Sequence, residues 1–165
     1  MCARVRAMTS VSASAVVQCS PEQAWALVAD VTKMADLSPE CVSCTWIDGA
    51  TGPEVGARFR GRNRRRLGTW TTTCTVTECE PGRVFAFAVG DAEDPQTVWR
   101  YSFVPAPDDA TMVTETCERR KPEALRAKVG LLALGILDRE ADLKQGIETT
   151  LARLQVAARA STLAG

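Results

Sequence analysis

The absence of histidine is the first limit on the chemistry of this chain, because none of its 165 residues is histidine. Ser–His and Cys–His nucleophilic pairs and histidine-ligated metal centres are therefore excluded. Acid–base work would fall to Glu, Asp, Tyr, Lys or Cys side chains. The three catalytic candidates are Glu115, Tyr101 and Asn63, all in segments of alternating hydrophobicity.

Each of these candidates also has a structural interpretation. Strand alternation directs Asn63 inward, where its amide either contacts a ligand or forms a hydrogen bond within the protein. Glu115 shares a face with Val113 and Cys117, but the pattern does not say which face of that strand is the inner one. The Tyr101 phenol could polarise a ligand carbonyl, although we favour a hydroxyl that reaches water at the mouth of a pocket.

The seven cysteines offer little metal chemistry. Cys41-Val-Ser-Cys44 has the spacing of half a zinc site. Cys74 and Cys79 are an odd number of residues apart on one predicted strand and should therefore face opposite ways. The cysteines lie among strand-like apolar residues rather than in the short loops of a disulfide scaffold. We therefore expect mostly reduced core thiols, no metal and no cofactor.

Charge and hydropathy favour one cytoplasmic domain. Twenty Lys and Arg balance twenty Asp and Glu, so no overall field attracts nucleic acid or an anionic membrane. The longest apolar run, Gly130–Leu137, is too short to span a bilayer, and we expect no stable membrane insertion. A local basic stripe is interpreted as a solvated strand and turn rather than as a phosphate-binding surface. Its members are Arg58, Arg60, Arg62, Arg64, Arg65 and Arg66.

The element order begins with a strand and two short helices. Val11–Cys19 is small and β-branched, and Ser20 followed by Pro21 is typical of a helix start. We predict a helix over Pro21–Ala29 and a short helical turn over Thr32–Leu37. From Cys41 to about Arg119 the pattern has period two and is broken by turn residues, which predicts six hairpin-connected strands.

Aromatic side chains share one face of the predicted sheet. Strand parity directs eight of them to the same side. These are Trp46, Phe59, Trp70, Phe85, Phe87, Trp99, Tyr101 and Phe103. So many rings are not all needed to fill the space under one helix, so we expect some of them to line a cavity.

A long amphipathic helix should cover that face. Residues Asp138–Ser161 carry apolar side chains at helical spacing, among them Ile147 and Leu151, which we include with the aromatics as ligand contacts. The preceding segment, Pro122–Leu137, is also helical in pattern and is interrupted by two glycines. Two interpretations remain open for it, a gate for a hydrophobic ligand and a packed connector.

This arrangement resembles the START-like (SRPBCC) superfamily, the helix-grip fold, and within it the bacterial polyketide cyclase/dehydrase branch. The resemblance covers about Val11 to Ala158. It rests on Ser20-Pro-Glu-Gln-Ala-Trp, Val28-Ala-Asp-Val, Gly56-Ala-Arg-Phe-Arg-Gly-Arg-Asn-Arg, Glu80-Pro-Gly-Arg-Val-Phe-Ala-Phe, Trp99-Arg-Tyr-Ser-Phe and Leu151-Ala-Arg-Leu. It implies an α+β fold in which a curved antiparallel sheet of about seven strands surrounds a long C-terminal helix.

The resemblance also implies a cavity between the sheet and the helix for aromatic, polyketide-like or lipid-like molecules. The expected role is binding of a small hydrophobic molecule as a carrier, sensor or cyclase-like protein. One alternative is a polyketide aromatase/cyclase or dehydratase that uses Glu115, Tyr101 or Asn63. A second alternative is a partner-binding module with a vestigial cavity. We expect residues 11–161 to form the domain, with 1–10 flexible, 162–165 a tail, no nucleic-acid partner, and a monomer or homodimer.

Overall fold

The computed structural model describes residues 9–65, 68–121 and 138–163. Seven antiparallel strands form one sheet in the order β1-β7-β6-β5-β4-β3-β2. The strands are β1 (Thr9–Val17), β2 (Cys41–Ile47), β3 (Arg58–Arg65), β4 (Gly68–Glu80), β5 (Val84–Val89), β6 (Thr97–Ala106) and β7 (Ala110–Arg119). The helices are α1 (Pro21–Ala29), α2 (Met34–Leu37), which follows a 3-10 turn at Val31–Lys33, and α3 (Arg139–Leu163). The predicted helix-grip fold is confirmed.

Helix α1 begins at a capping box. The Ser20 hydroxyl accepts a hydrogen bond from the Gln23 N–H, and the Gln23 side chain accepts one from the Ser20 N–H. Pro21 occupies the first turn, where its missing N–H leaves no donor unsatisfied. The indole Nε1 of Trp25 donates to the Val84 carbonyl at 2.9 Å, which fixes α1 against β5.

Helix α3 buries one apolar face, as its spacing predicts. The buried residues are Leu143, Ile147, Leu151, Leu154 and Ala158. Burying its three leucines and one isoleucine at about 1.5–3 kcal/mol each contributes roughly 6–12 kcal/mol. The Gln155 amide donates to the Val16 carbonyl at 2.8 Å, so the helix is also fixed to β1.

A β-bulge in β4 contradicts one prediction. The pairing of β4 with β5 shifts between Val76 and Glu78, so that Val76 lies opposite Phe87 and Cys79 lies opposite Phe85. Because the bulge adds one residue, Cys79 returns to the face that carries Val76 and, two residues before it, Cys74. The prediction that the two cysteines face opposite ways was therefore wrong.

Several sequence predictions concern the ends of the chain or residues outside the described ranges. Strand β1 begins at Thr9 and α3 ends at Leu163, so both extend slightly beyond the predicted 11–161 boundaries. The predicted gate or connector at 122–137 lies outside the described residues, as do residue 66 of the arginine stripe and residues 1–8. In the described part of the chain, no helix is both long and apolar enough to cross a membrane.

Candidate functional site

The concave face of the sheet carries the aromatic side chains, and they divide into two groups. Five rings are at most 9% exposed and belong to the core; they are Phe59, Phe85, Phe87, Tyr101 and Phe103. Phe59 connects them to the rest of the face, since its ring makes edge contacts with Phe87 at 5.1 Å and Trp46 at 5.6 Å between centroids. The other three, Trp46, Trp70 and Trp99, are only half-buried.

The face of β7 that the sequence left unassigned is now clear. Val113, Glu115 and Cys117 are buried, so Glu115 points into the concave interior with a residue exposure of only 2%. Strand pairing places it directly opposite Tyr101 on β6, and the Tyr101 hydroxyl donates to Glu115 Oε1 at 2.7 Å. The second oxygen, Oε2, is buried and has no hydrogen-bond partner among the described residues. One buried oxygen is therefore left for another group to bind.

Burial controls the protonation of this pair. Loss of solvent raises the pKa of Glu115 to about 8, against a smaller lowering by the Tyr101 hydrogen bond. Burial, and next the Glu115 charge, raise the pKa of Tyr101 well above its usual value. At neutral pH Glu115 is therefore mainly a carboxylic acid. The prediction that the Tyr101 hydroxyl reaches water was wrong, because the residue is 3% exposed and binds Glu115 instead.

Asn63 occupies a different part of the face. It is half-buried on β3, and its Nδ2 donates to Thr72 Oγ1 over a long 3.4 Å. Strands β4 and β5 lie between it and the Tyr101–Glu115 pair, so the three catalytic candidates do not form one group. Its neighbours across the strands are Cys41 and Trp70.

An ion-pair network at the rim was missed by sequence reasoning. Arg65, interpreted above as part of a solvated stripe, binds Asp142 of α3 through two nitrogens and Glu40 at 2.7 Å. Arg139 adds a 3.0 Å contact to Asp142. The signal was present in the sequence, because Arg65 has the same strand parity as Phe59 and Asn63 and so belongs to their inner face.

Two clefts formed by the described residues lie outside the aromatic core. One, of about 500 Å³, lies where the rim network joins the end of β3 to the start of α3, and it includes Arg65, Asp142 and Thr149. A second is on the outer side of α3, around Arg153 and Val156. Neither includes an aromatic side chain, and Ile147 and Leu151 are buried in the core. Among the aromatic residues of the concave face, the three tryptophans are the ones that keep substantial solvent exposure.

Metal ligands are not grouped in the described ranges. No set of three or more Cys, Asp or Glu side chains there is placed to hold a metal ion. Cys44 and Cys74 are buried, and burial raises the pKa of Cys74 to about 12, which makes it a poor ligand at neutral pH.

Comparison with known proteins gives the family. The model of the family described as polyketide cyclase/dehydrase and lipid transport matches residues 8–158. A Polyketide_cyc-like protein of Corynebacterium glutamicum, Cgl2372, is 32% identical over 93% of each chain with a TM-score of 0.62. No curated protein matches at a significant level.

Two more distant structures share the fold. TTHA0849 of Thermus thermophilus is 15% identical, with 93% of this chain and 99% of that one aligned and a TM-score of 0.69. The Zhui aromatase/cyclase of a Streptomyces species is 17% identical, with 92% and 93% aligned and a TM-score of 0.67. With the family model covering nearly the whole chain, this protein belongs to the polyketide cyclase/dehydrase and lipid transport family.

Proposed function

We propose that this protein binds a small hydrophobic, aromatic molecule on the concave face of its sheet, with Glu115 as the polar contact. The observation that carries the proposal is the unpartnered Oε2 of Glu115, buried on an aromatic face. A buried acceptor oxygen without a hydrogen-bond partner destabilises a fold by about 1–3 kcal/mol. A ligand oxygen that binds it would recover that free energy.

The tryptophans supply the apolar part of the proposed site. Trp99 lies opposite Cys117 on β7, one inner position along the strand from Glu115. In this proposal the apolar part of the ligand contacts its half-buried ring, and the polar part binds the carboxyl. Trp46, Asn63 and Trp70 are further half-buried residues of the same face, on β2, β3 and β4 respectively. A flat aromatic ligand with one oxygen suits this surface, because aromatic side chains provide large contact areas at little entropic cost.

The experiment compares two probes that differ by one hydroxyl. Naphthalene and 2-naphthol are titrated into the protein by calorimetry at pH 6.5. We expect 2-naphthol to bind at least about tenfold more tightly, a difference of about 1.4 kcal/mol, because its hydroxyl binds Glu115 Oε2. Glu115→Leu should bind both probes equally.

The matched controls separate the site from the fold. Trp99→Arg should weaken both probes at least about tenfold, whereas Val104→Arg, an exposed change on the other face of the same strand, should weaken neither. Absence of binding to the unchanged protein by both naphthalenes and by a panel of fatty acids, polyketides and flavonoids would overturn the proposal. So would a preference for 2-naphthol that survives Glu115→Leu.

A second candidate function is catalysis of aromatic ring formation or dehydration. The observation that favours it is a carboxylic acid whose pKa of about 8 lies close to neutral pH, hydrogen-bonded to a phenol. Glu115 would protonate a carbonyl or a leaving hydroxyl while the face holds a polyketone in one folded shape. The neighbour named as an aromatase/cyclase shares this fold.

The two functions are distinguished by turnover of a linear poly-β-ketone model compound. An acid role predicts a rate that falls above about pH 8 and a large loss in Glu115→Gln. Binding without turnover leaves the carrier or sensor role. Neither binding nor turnover would favour the third possibility, a partner-binding module with a vestigial cavity.

A further inference from the structure

Two cysteines at the start of β2 form a close thiol pair that the proposed ligand site does not use. The Sγ atoms of Cys41 and Cys44 lie 3.5 Å apart. Cys44 is buried, while Cys41 is only half-buried, and both are free thiols. The more exposed cysteine of the pair therefore has the buried thiol directly beside it.

A β-bulge brings these thiols together. In a regular strand, residues three positions apart face opposite sides of the sheet. The pairing of β2 with β3 shifts just after Cys41, so Val42 becomes an extra residue and both cysteines turn to the concave face. Gly61 lies opposite Cys44, and a Cβ there would contact its sulfur at 3.5 Å.

The two thiols differ in acidity in the way that a nucleophile and its partner do. The pKa of Cys41 is lowered chiefly by its hydrogen bond with the Cys44 thiol, against the effect of burial, and also by a hydrogen bond from the Ser43 N–H. The same hydrogen bond, with burial, raises the pKa of Cys44. Burial raises the pKa of the other described cysteines, which are Cys19, Cys74, Cys79 and Cys117. Among the described thiols, Cys41 is therefore the best thiolate.

We propose that Cys41 and Cys44 form a peroxide-reactive thiol site, in which Cys41 is oxidised first and Cys44 then closes an internal disulfide. The Cys41 thiolate attacks the outer oxygen of a hydroperoxide; an S–O bond forms, the O–O bond breaks, and the alcohol or water leaves with a proton. The Cys44 sulfur then attacks the sulfenic acid, an S–S bond forms, and water leaves. Two electrons pass from the thiols to the peroxide.

The geometry favours a disulfide over a metal site. To form a disulfide, the two sulfurs need to approach from 3.5 Å to the bond length of about 2.05 Å. A structural zinc ion needs four ligands, and no group of even three suitable side chains occurs among the described residues. This proposal does not depend on the binding of a hydrophobic ligand.

The test uses a tryptic peptide that isolates the pair. Cleavage after Lys33 and Arg58 releases residues 34–58, which contain Cys41 and Cys44 and no other cysteine. After brief treatment with equimolar hydrogen peroxide and alkylation, we expect this peptide to be lighter by two hydrogens and unalkylated. Reduction with a phosphine before alkylation should restore two alkylated thiols.

Single variants assign the order of events. Cys44→Ser should accumulate a sulfenic acid on Cys41 that dimedone labels, and Cys41→Ser should slow peroxide consumption at least about tenfold. Cys79→Ser, which changes a half-buried thiol elsewhere, should react like the unchanged protein. Circular dichroism establishes that each variant is folded.

Two results would overturn the proposal. One is a 34–58 peptide that stays fully alkylated in the unchanged protein at peroxide levels that oxidise free glutathione. The other is dimedone labelling of a different cysteine in Cys44→Ser while Cys41 stays unlabelled.

Discussion

The carboxylates at the rim and in the interior of this protein have opposite surroundings. At the rim, Asp142 lies against Arg65 and Arg139, and its side chain is 10% exposed. In the interior, Glu115 is 2% exposed and forms no ion pair with any described residue; its one neighbouring donor is the Tyr101 hydroxyl. Rim carboxylates are compensated by cations and serve to attach α3 to the sheet, whereas Glu115 is desolvated without compensation.

The difference indicates separate roles. A carboxylate that stabilises a fold is normally paired with a cation or with several hydrogen bonds. Glu115 has one hydrogen bond and one unpartnered oxygen, so it costs stability at any pH where it ionises. Uncompensated buried acids are more common at binding and catalytic sites than in purely structural cores. This contrast supports the proposed role of the interior acid in binding, whereas the rim network connects α3 to the sheet.

The largest expected effect is on the pH dependence of stability. The folded pKa of Glu115 is about 8, above its usual value of 4.5, so the folded state holds the proton more tightly between these values. The stabilisation of the folded state by the protonated Glu115 carboxyl is fully present below pH 4.5 and is lost as pH rises through about 8. Glutamine does not titrate, so Glu115→Gln keeps its stability over this range. Its free energy of unfolding relative to that of the unchanged protein should therefore rise by roughly 3–5 kcal/mol from pH 5 to pH 9. Urea unfolding of both proteins at several pH values measures this difference in free energy of unfolding. A difference that does not change with pH would contradict a raised pKa of Glu115.

The second effect concerns the rim. Arg65→Ala removes the cation shared by Asp142 and Glu40, and we expect the free energy of unfolding to fall by about 2 kcal/mol, because Arg139 still pairs with Asp142. Arg64→Ala, the exposed neighbour on the outer face, should change stability by less than about 0.5 kcal/mol. Equal effects of the two changes would show that the network is not structural.

The smallest effect concerns the hydrogen bond to Glu115. Tyr101→Phe removes the hydrogen-bond donor that the described residues give this carboxyl, and we expect the free energy of unfolding to fall by about 1 kcal/mol at pH 6. The loss should increase to about 2 kcal/mol at pH 9, because a hydrogen bond to an ionised oxygen is stronger. A loss that shrinks as pH rises would contradict the assignment of Tyr101 as the donor.

The sequence predicts most of the side chains that share the concave face, because side-chain direction within a strand is a local property. Alternation placed the aromatic rings and Asn63 on one face, and it also held the signal for Arg65, which charge alone assigned to solvent. Bulges could not be foreseen, since an inserted residue changes the parity of every residue after it. The sequence therefore predicted the wrong face for Cys79, and it did not show that Cys41 and Cys44 share a face.

The contact between Tyr101 and Glu115 could not be predicted from local sequence patterns either, for a different reason. It depends on the register of β6 against β7, which places residues 101 and 115 directly opposite each other. The alternation of β7 alone gave no preference between its two faces. Only the position of the strand between β1 and β6, beneath α3, makes the face with Glu115 the buried one.

The most direct test of an uncompensated interior acid is a carbon-13 NMR titration of the Glu115 carboxyl, with and without saturating 2-naphthol. Glu115→Gln assigns its resonance. The structure predicts a midpoint near pH 8 in the free protein and a shifted midpoint when the probe is bound. A midpoint near the ordinary value of 4.5, unchanged by the probe, would contradict both the buried acid and its role as the polar contact.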